Sequence, residues 1–205
     1  MNRNRILVVI LTAGVLTLIY QLFLKPSSPK NEEKNQSLAV KKHSAAFNAH
    51  IEMVMKNYLA LKDAFVEADT QAVKANAKDF IEALNAIDTV ELKKDTASIY
   101  NTVIYTLSDL KLNAESILQQ HDIKEMRRDF SSLTDMMYPS LFQAIRYEGP
   151  TLYLQNCPMA FDDSIAANWI SNSAIIVNPY LGKKHPEYKA TMLHCGELKD
   201  SVSLK

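Results

Sequence analysis

A chain of 205 residues with 47% hydrophobic and 22% charged residues and a formal net charge of zero has the composition of one globular domain carrying an attachment, which excludes most disordered chains. A neutral balance with no basic run longer than a pair such as Lys41-Lys42 argues against nucleic acid as a partner, because phosphate binding needs a concentrated basic face. Only 4 glycines are present, without a G-x-G-x-x-G or P-loop string, which argues against a nucleotide ligand.

The N-terminus stands apart from the domain. Ile6 to Leu24 holds 19 residues without a charge, about 28 Å of helix at the usual rise, enough for a hydrocarbon core. The run ends in Gln21-Leu-Phe-Leu-Lys25 rather than in a small-x-small exit, and no cysteine follows it for a lipid anchor. Residues 1–25 therefore read as an uncleaved signal anchor, with secretion to the periplasm after cleavage as the alternative. Arg3 and Arg5 compete with Lys25, Lys30 and Lys34 under the positive-inside rule. Short leading tails commonly stay inside, which puts the bulk of the chain on the periplasmic side of the inner membrane. Residues 26–42, rich in Pro, Ser, Asn, Lys and Glu, read as a flexible tether.

Residues 43–147 read as four helices. From Ser44 to Ala68, Phe47, Ile51, Val54, Tyr58, Leu61 and Phe65 alternate spacings of four and three, one face of an amphipathic helix. Asp69-Thr70 supplies a cap, and Val73, Ala77, Phe80, Leu84 and Ile87 repeat the spacing to about Asp88. A third stripe, Ile99, Val103, Leu107, Leu110, Ala114 and Ile117, follows Thr96; a fourth, Ile123, Met126, Phe130, Leu133 and Met137, follows Asp122 and is kinked or ended by Pro139. Short joints favour an antiparallel up-down-up-down bundle, so the fold class is all-α, with a loop and short-strand tail packed on the bundle. The Met and aromatic stripes are core packing rather than a cofactor site.

Residues 148–205 form that tail. Pro150, Pro158, Pro179 and Pro186 exclude long helices, while Thr151 to Leu154 and Ala174 to Val177 read as short strands. Soft ligand types gather at two points, Cys157 and Met159 in C-P-M, and Met192, His194 and Cys195 in M-L-H-C-G. Thiolate, thioether and imidazole together favour Cu(I) or Ag(I), and two thiolates with an imidazole also suit Zn(II). His50 and His185 are additional candidate ligands.

The strings CPMA (157–160), Trp169 with Ser171, NPYLG (178–182) and MLHCGE (192–197) resemble an extracytoplasmic domain of unknown function that occurs alone or fused to CusB-like copper and silver efflux adaptors. The likeness extends into the first helix, through His50-x-x-Met53 and Tyr58-Leu-Ala-Leu-Lys-Asp-Ala64. It implies a four-helix bundle carrying the cysteine-bearing tail, and heavy-metal handling in association with an efflux adaptor or metal carrier. Two departures stand out. Lys183 to Thr191 lengthens the link between NPY-x-G and the Met-x-x-Cys-Gly element, and Phe161 to Ala167 lacks the glycine usual before the tryptophan.

Each residue also has a plainer role. Cys157 and Cys195 outside the cytoplasm form a structural disulfide or a thiolate metal site, and redox state can alternate the two. Met159 and Met192 fill core gaps or ligate. His50 shares a helix face with Phe47 and Val54, which fits a partly buried histidine bonded to the tail; Trp169, Asn178, Pro179 and Tyr180 read as packing and turn residues. No Ser-His-Asp order, H-E-x-x-H, paired-carboxylate motif or C-x-x-C occurs, so the chain reads as no enzyme. The expected function is a membrane-tethered, soft-metal-binding accessory of heavy-metal efflux or homeostasis; the alternative is a structural interaction module whose cysteines form a bridge.

Overall fold

The computed structural model describes residues 42–162 and 164–202, all within the second of two compact units into which the chain divides, Asn35–Lys205. The apolar run at 6–24 and nearly all of the tether at 26–42 lie outside the described residues. None of the described helices is long and apolar enough to cross a membrane.

Four helices appear where the apolar periodicity puts them: α1 (Ala45–Val66), α2 (Thr70–Asn85), α3 (Ala97–Gln119) and α4 (Ile123–Met136). Each begins on a short polar side chain that accepts an otherwise orphaned N–H of the first turn. Ser44 takes that of Phe47, Asp69 those of Gln71 and Ala72, Thr96 that of Ile99, and Asp122 that of Lys124. The four stripes are buried, except that Ile123 is only half-buried. Beyond α4 the chain makes a wide turn at Met137–Leu141, containing Pro139, and one further turn of helix at Phe142–Ala144.

The tail overturns the all-α expectation. It forms a three-stranded antiparallel sheet, so the fold is α+β. The strands are β1 (Leu152–Phe161), β2 (Ile165–Ser171) and β3 (Glu197–Val202), in the order β2-β1-β3. Only the first of the two expected strands coincides with one observed. Residues 174–177 are not a strand, because Ser173 Oγ accepts the N–H of Ile175 at 3.1 Å and Ser171 Oγ that of Ser173 at 3.1 Å, turns that compete with a ladder. β1 instead runs through Pro158. The missing N–H is tolerated there because the β1–β2 register shifts between Cys157 and Phe161, and the pairing with β3 ends at Asn156. β3 was invisible in the hydropathy, since Glu197 to Ser201 are all exposed.

Bundle and sheet share one core. Phe130 on α4 sits 5.2 Å from the ring of Tyr58 and 4.9 Å from that of Phe65, both on α1, and 6.0 Å from that of Tyr180 in the tail. The Tyr58 hydroxyl accepts the Ile170 N–H of β2 at 3.0 Å and donates to Thr134 Oγ1 at 2.7 Å. Thr134 in turn donates to the Phe130 carbonyl at 3.0 Å. One buried hydroxyl thus joins α1, α4 and the sheet with its bonds satisfied, as burial demands.

Candidate functional site

The NPYLG loop fixes the tail to the end of α1. A helix C-terminus leaves its last carbonyls unpaired, and here Lys183 N–H donates to Val66 O at 2.9 Å while Arg127 Nη2 donates to Phe65 O at 3.1 Å. Arg127 Nε reaches Pro179 O at 2.9 Å, so one buried guanidinium holds helix and loop together. Desolvation pulls the pKa of that guanidinium down to about 10, against the opposing pull of Asp122. Gly182 (φ +58°) is the close approach: a Cβ there would lie 2.7 Å from Val66 O.

The same loop places Asn178 between the two cysteines. Asn178 is fully buried; its Oδ1 accepts the N–H groups of Tyr180 at 2.8 Å and Leu181 at 3.1 Å, and its own N–H donates to Leu193 O at 2.8 Å. Its side-chain amide donates to Cys195 O at 2.8 Å and also bonds the Cys157 thiol.

Cys157 arrives on β1, opposite the small Ala167 of β2. Cys195 arrives from the other edge, because β3 begins with Glu197 opposite Asn156, the neighbour of Cys157. Gly196 between them has φ +145°, and a Cβ on it would lie 2.7 Å from Asn156 O and 2.9 Å from the Trp169 ring. A bare backbone at that position lets the loop lie flat against β1. The β1–β3 register thus makes the two cysteines electrostatic neighbours, and both are free.

The pair is asymmetric. Cys157 is buried in the strand; Cys195 is half-buried on the loop. Burial pushes the Cys157 thiol up, the Asn178 amide and the Met159 N–H oppose that rise by bonding the sulfur, and the adjacent Cys195 adds to it.

The other candidate ligands are distributed differently. Met159 and Met192 touch the pair through backbone, the first by its N–H to the Cys157 sulfur and the second by a carbonyl accepting the Cys195 N–H at 3.0 Å. Both side chains are half-buried against the core. His194 Nδ1 bonds Ile176 O at 2.7 Å and is exposed, and His50 Nδ1 bonds Ala86 O on the bundle. His50 is thus bonded at the end of α2, not to the tail. His185 Nδ1 accepts the N–H groups of Glu187 at 3.3 Å and Tyr188 at 3.2 Å, and its ring stacks on Tyr188 at 4.9 Å. Among the described residues no three His, Cys, Asp or Glu side chains converge as a metal-holding group. Asn178 is the site residue that reading the sequence missed. Its place in N-P-Y-L-G signalled only a turn, since the second cysteine it bonds is 17 residues away.

A family model described as a protein of unknown function (DUF3347) matches residues 54–146. The match spans most of α1 through the turn after α4 and stops before the sheet, so the thiol pair and the CPMA, NPYLG and MLHCGE strings lie beyond it. No curated protein and no solved structure matches the chain.

Proposed function

We propose that this chain binds a soft monovalent ion, Cu(I) or Ag(I), between Cys157 and Cys195, as a membrane-tethered accessory of heavy-metal efflux or homeostasis outside the cytoplasm. The observation that carries the reading is the strand register that brings two free cysteines from separate segments of the tail beside one another. Two thiolates suffice for a soft ion of low coordination number, whereas a zinc site wants four ligands from Cys, His or carboxylate. With no third such side chain converging among the described residues, the donor set fits Cu(I) or Ag(I) better than Zn(II). Met159, Met192 or His194 would complete the site, the methionines as soft thioethers and His194 by exchanging its bond to Ile176 O. The uncharged run at 6–24 supports the tether, and the tail strings support the tie to efflux adaptors.

The test is a Cu(I) titration of the reduced full-length protein in detergent against a competing chelator. One ion is expected to bind per chain, with Cys157→Ser and Cys195→Ser each weakening it far more than Met159→Leu. Binding releases thiol protons, and burial holds the proton of Cys157 more tightly, so affinity should climb with pH. Equal affinity in the wild type and the double serine variant would remove the metal reading and leave an interaction module bridged by a disulfide.

A further inference from the structure

We infer that Cys157 and Cys195 also form an ordered dithiol–disulfide couple, in which Cys195 is the thiol that meets an external small-molecule disulfide and Cys157 is the one that resolves it. The couple uses the same two sulfurs as the metal reading but needs no ion.

The order follows from placement. An incoming disulfide must reach a sulfur in line with its S–S bond, which a side chain sealed inside β1 does not allow. Cys195 lies on the loop that leads into β3 and is half-buried, so it is the accessible member. Once Cys195 carries a mixed disulfide, its Sγ is an electrophile on a segment that the β1–β3 register holds beside Cys157, and the effective concentration of the second thiol is set by the fold.

The chemistry balances with one disulfide, RSSR, as oxidant. The Cys195 thiolate attacks one sulfur, the R–S–S–R bond breaks, and RS⁻ leaves and takes up the proton that Cys195 gave to water. Cys157 then loses its proton and attacks Cys195 Sγ; the Cys195–SR bond breaks and a second RSH departs. Two protein thiols are oxidised by two electrons and one disulfide is reduced to two thiols. Asn178 acts as a positioning residue, with its amide on the Cys195 carbonyl and the Cys157 sulfur.

The experiment treats reduced full-length protein with oxidised glutathione, quenches by alkylation at intervals and reads intact mass and peptide maps. Wild type is expected to close to the internal disulfide with only a transient adduct, and that adduct maps to Cys195. Cys157→Ser should retain one glutathionyl group on Cys195, and Cys195→Ser should react about tenfold more slowly or less. An adduct found first on Cys157 in the wild type, equal rates for the two serine variants, or an adduct that persists without closing would each overturn the order. The wild-type peptide map decides the matter even where a serine variant fails to fold. Cu(I) titration of the same reduced sample separates the two readings: failed exchange with intact binding removes only the couple, and lost binding with ordered exchange removes only the metal site.

Discussion

In the bundle every helix closes its own N-terminus. Ser44, Asp69, Thr96 and Asp122 cap the four N-termini from the residue just before each, and each helix brings one apolar stripe. In the tail the deciding contacts are made with distant segments. β3 is exposed but for Val202 at its end, the NPYLG loop and the residue after it satisfy the last carbonyls of α1 and borrow a guanidinium from α4, and Cys195 comes beside Cys157 only after β1 and β3 have paired. The difference teaches that the tail depends on the bundle more than the bundle on the tail, and the proposed chemistry sits in the dependent part.

The largest effect is expected where the two regions meet. Phe130→Ala removes a fully buried ring that contacts Tyr58, Phe65 and Tyr180, and should cost about 3–5 kcal/mol, the usual range for such a cavity. Urea unfolding followed by helical circular dichroism and by emission of Trp169, the single tryptophan, should give one coincident transition. Two separated transitions in the wild type would show that bundle and tail are independent after all.

A smaller effect confined to the tail is expected from Gly196→Ala. It adds a Cβ that must push against Asn156 O and the Trp169 ring at a positive φ, at a cost of about 1–3 kcal/mol. Trp169 emission should change, the helical signal should persist, and closure of the cysteine pair should slow because the loop is lifted from β1. An unchanged closure rate would mean that the backbone of Gly196 does not set the sulfur contact.

The gentlest probe is alkaline pH. Cys157, Tyr58 and Tyr180 are pushed up by burial and Tyr147 is pushed up to about 12. Each holds its proton more tightly folded than unfolded, so its contribution is complete below the unfolded value and is lost as pH rises through the folded one. Arg127, drawn down to about 10, works in the opposite sense. With four groups against one, the urea midpoint should fall steadily from about pH 8 to about pH 11. In a Tyr58→Phe variant the slope should lessen. A midpoint that rises over this range would contradict the burial of these groups.

Read in isolation, the sequence determined the bundle, because a helix is decided by contacts three and four residues apart and by a capping side chain next to its start. The stripes from Phe47 to Met137 needed no knowledge of what they would face. The sequence also marked Cys157 and Cys195 as the residues to watch, since soft donors are rare enough here to stand out. The sheet and the sulfur contact were decided only by tertiary structure. Pro158 sits in a strand only because the ladder shifts at that point, Ser171 and Ser173 turn the chain up to Ile175 although residues 174–177 are all apolar, and the charged β3 is a strand only because β1 offers it an edge. Asn178 reads as a turn former, and its hold on both cysteines exists only because Arg127 and Lys183 bring its loop to the end of α1. Pairings made across tens of residues leave no periodicity in the chain, and the physical reason is that their free energy comes from satisfying buried polar groups on another segment rather than from a local repeat.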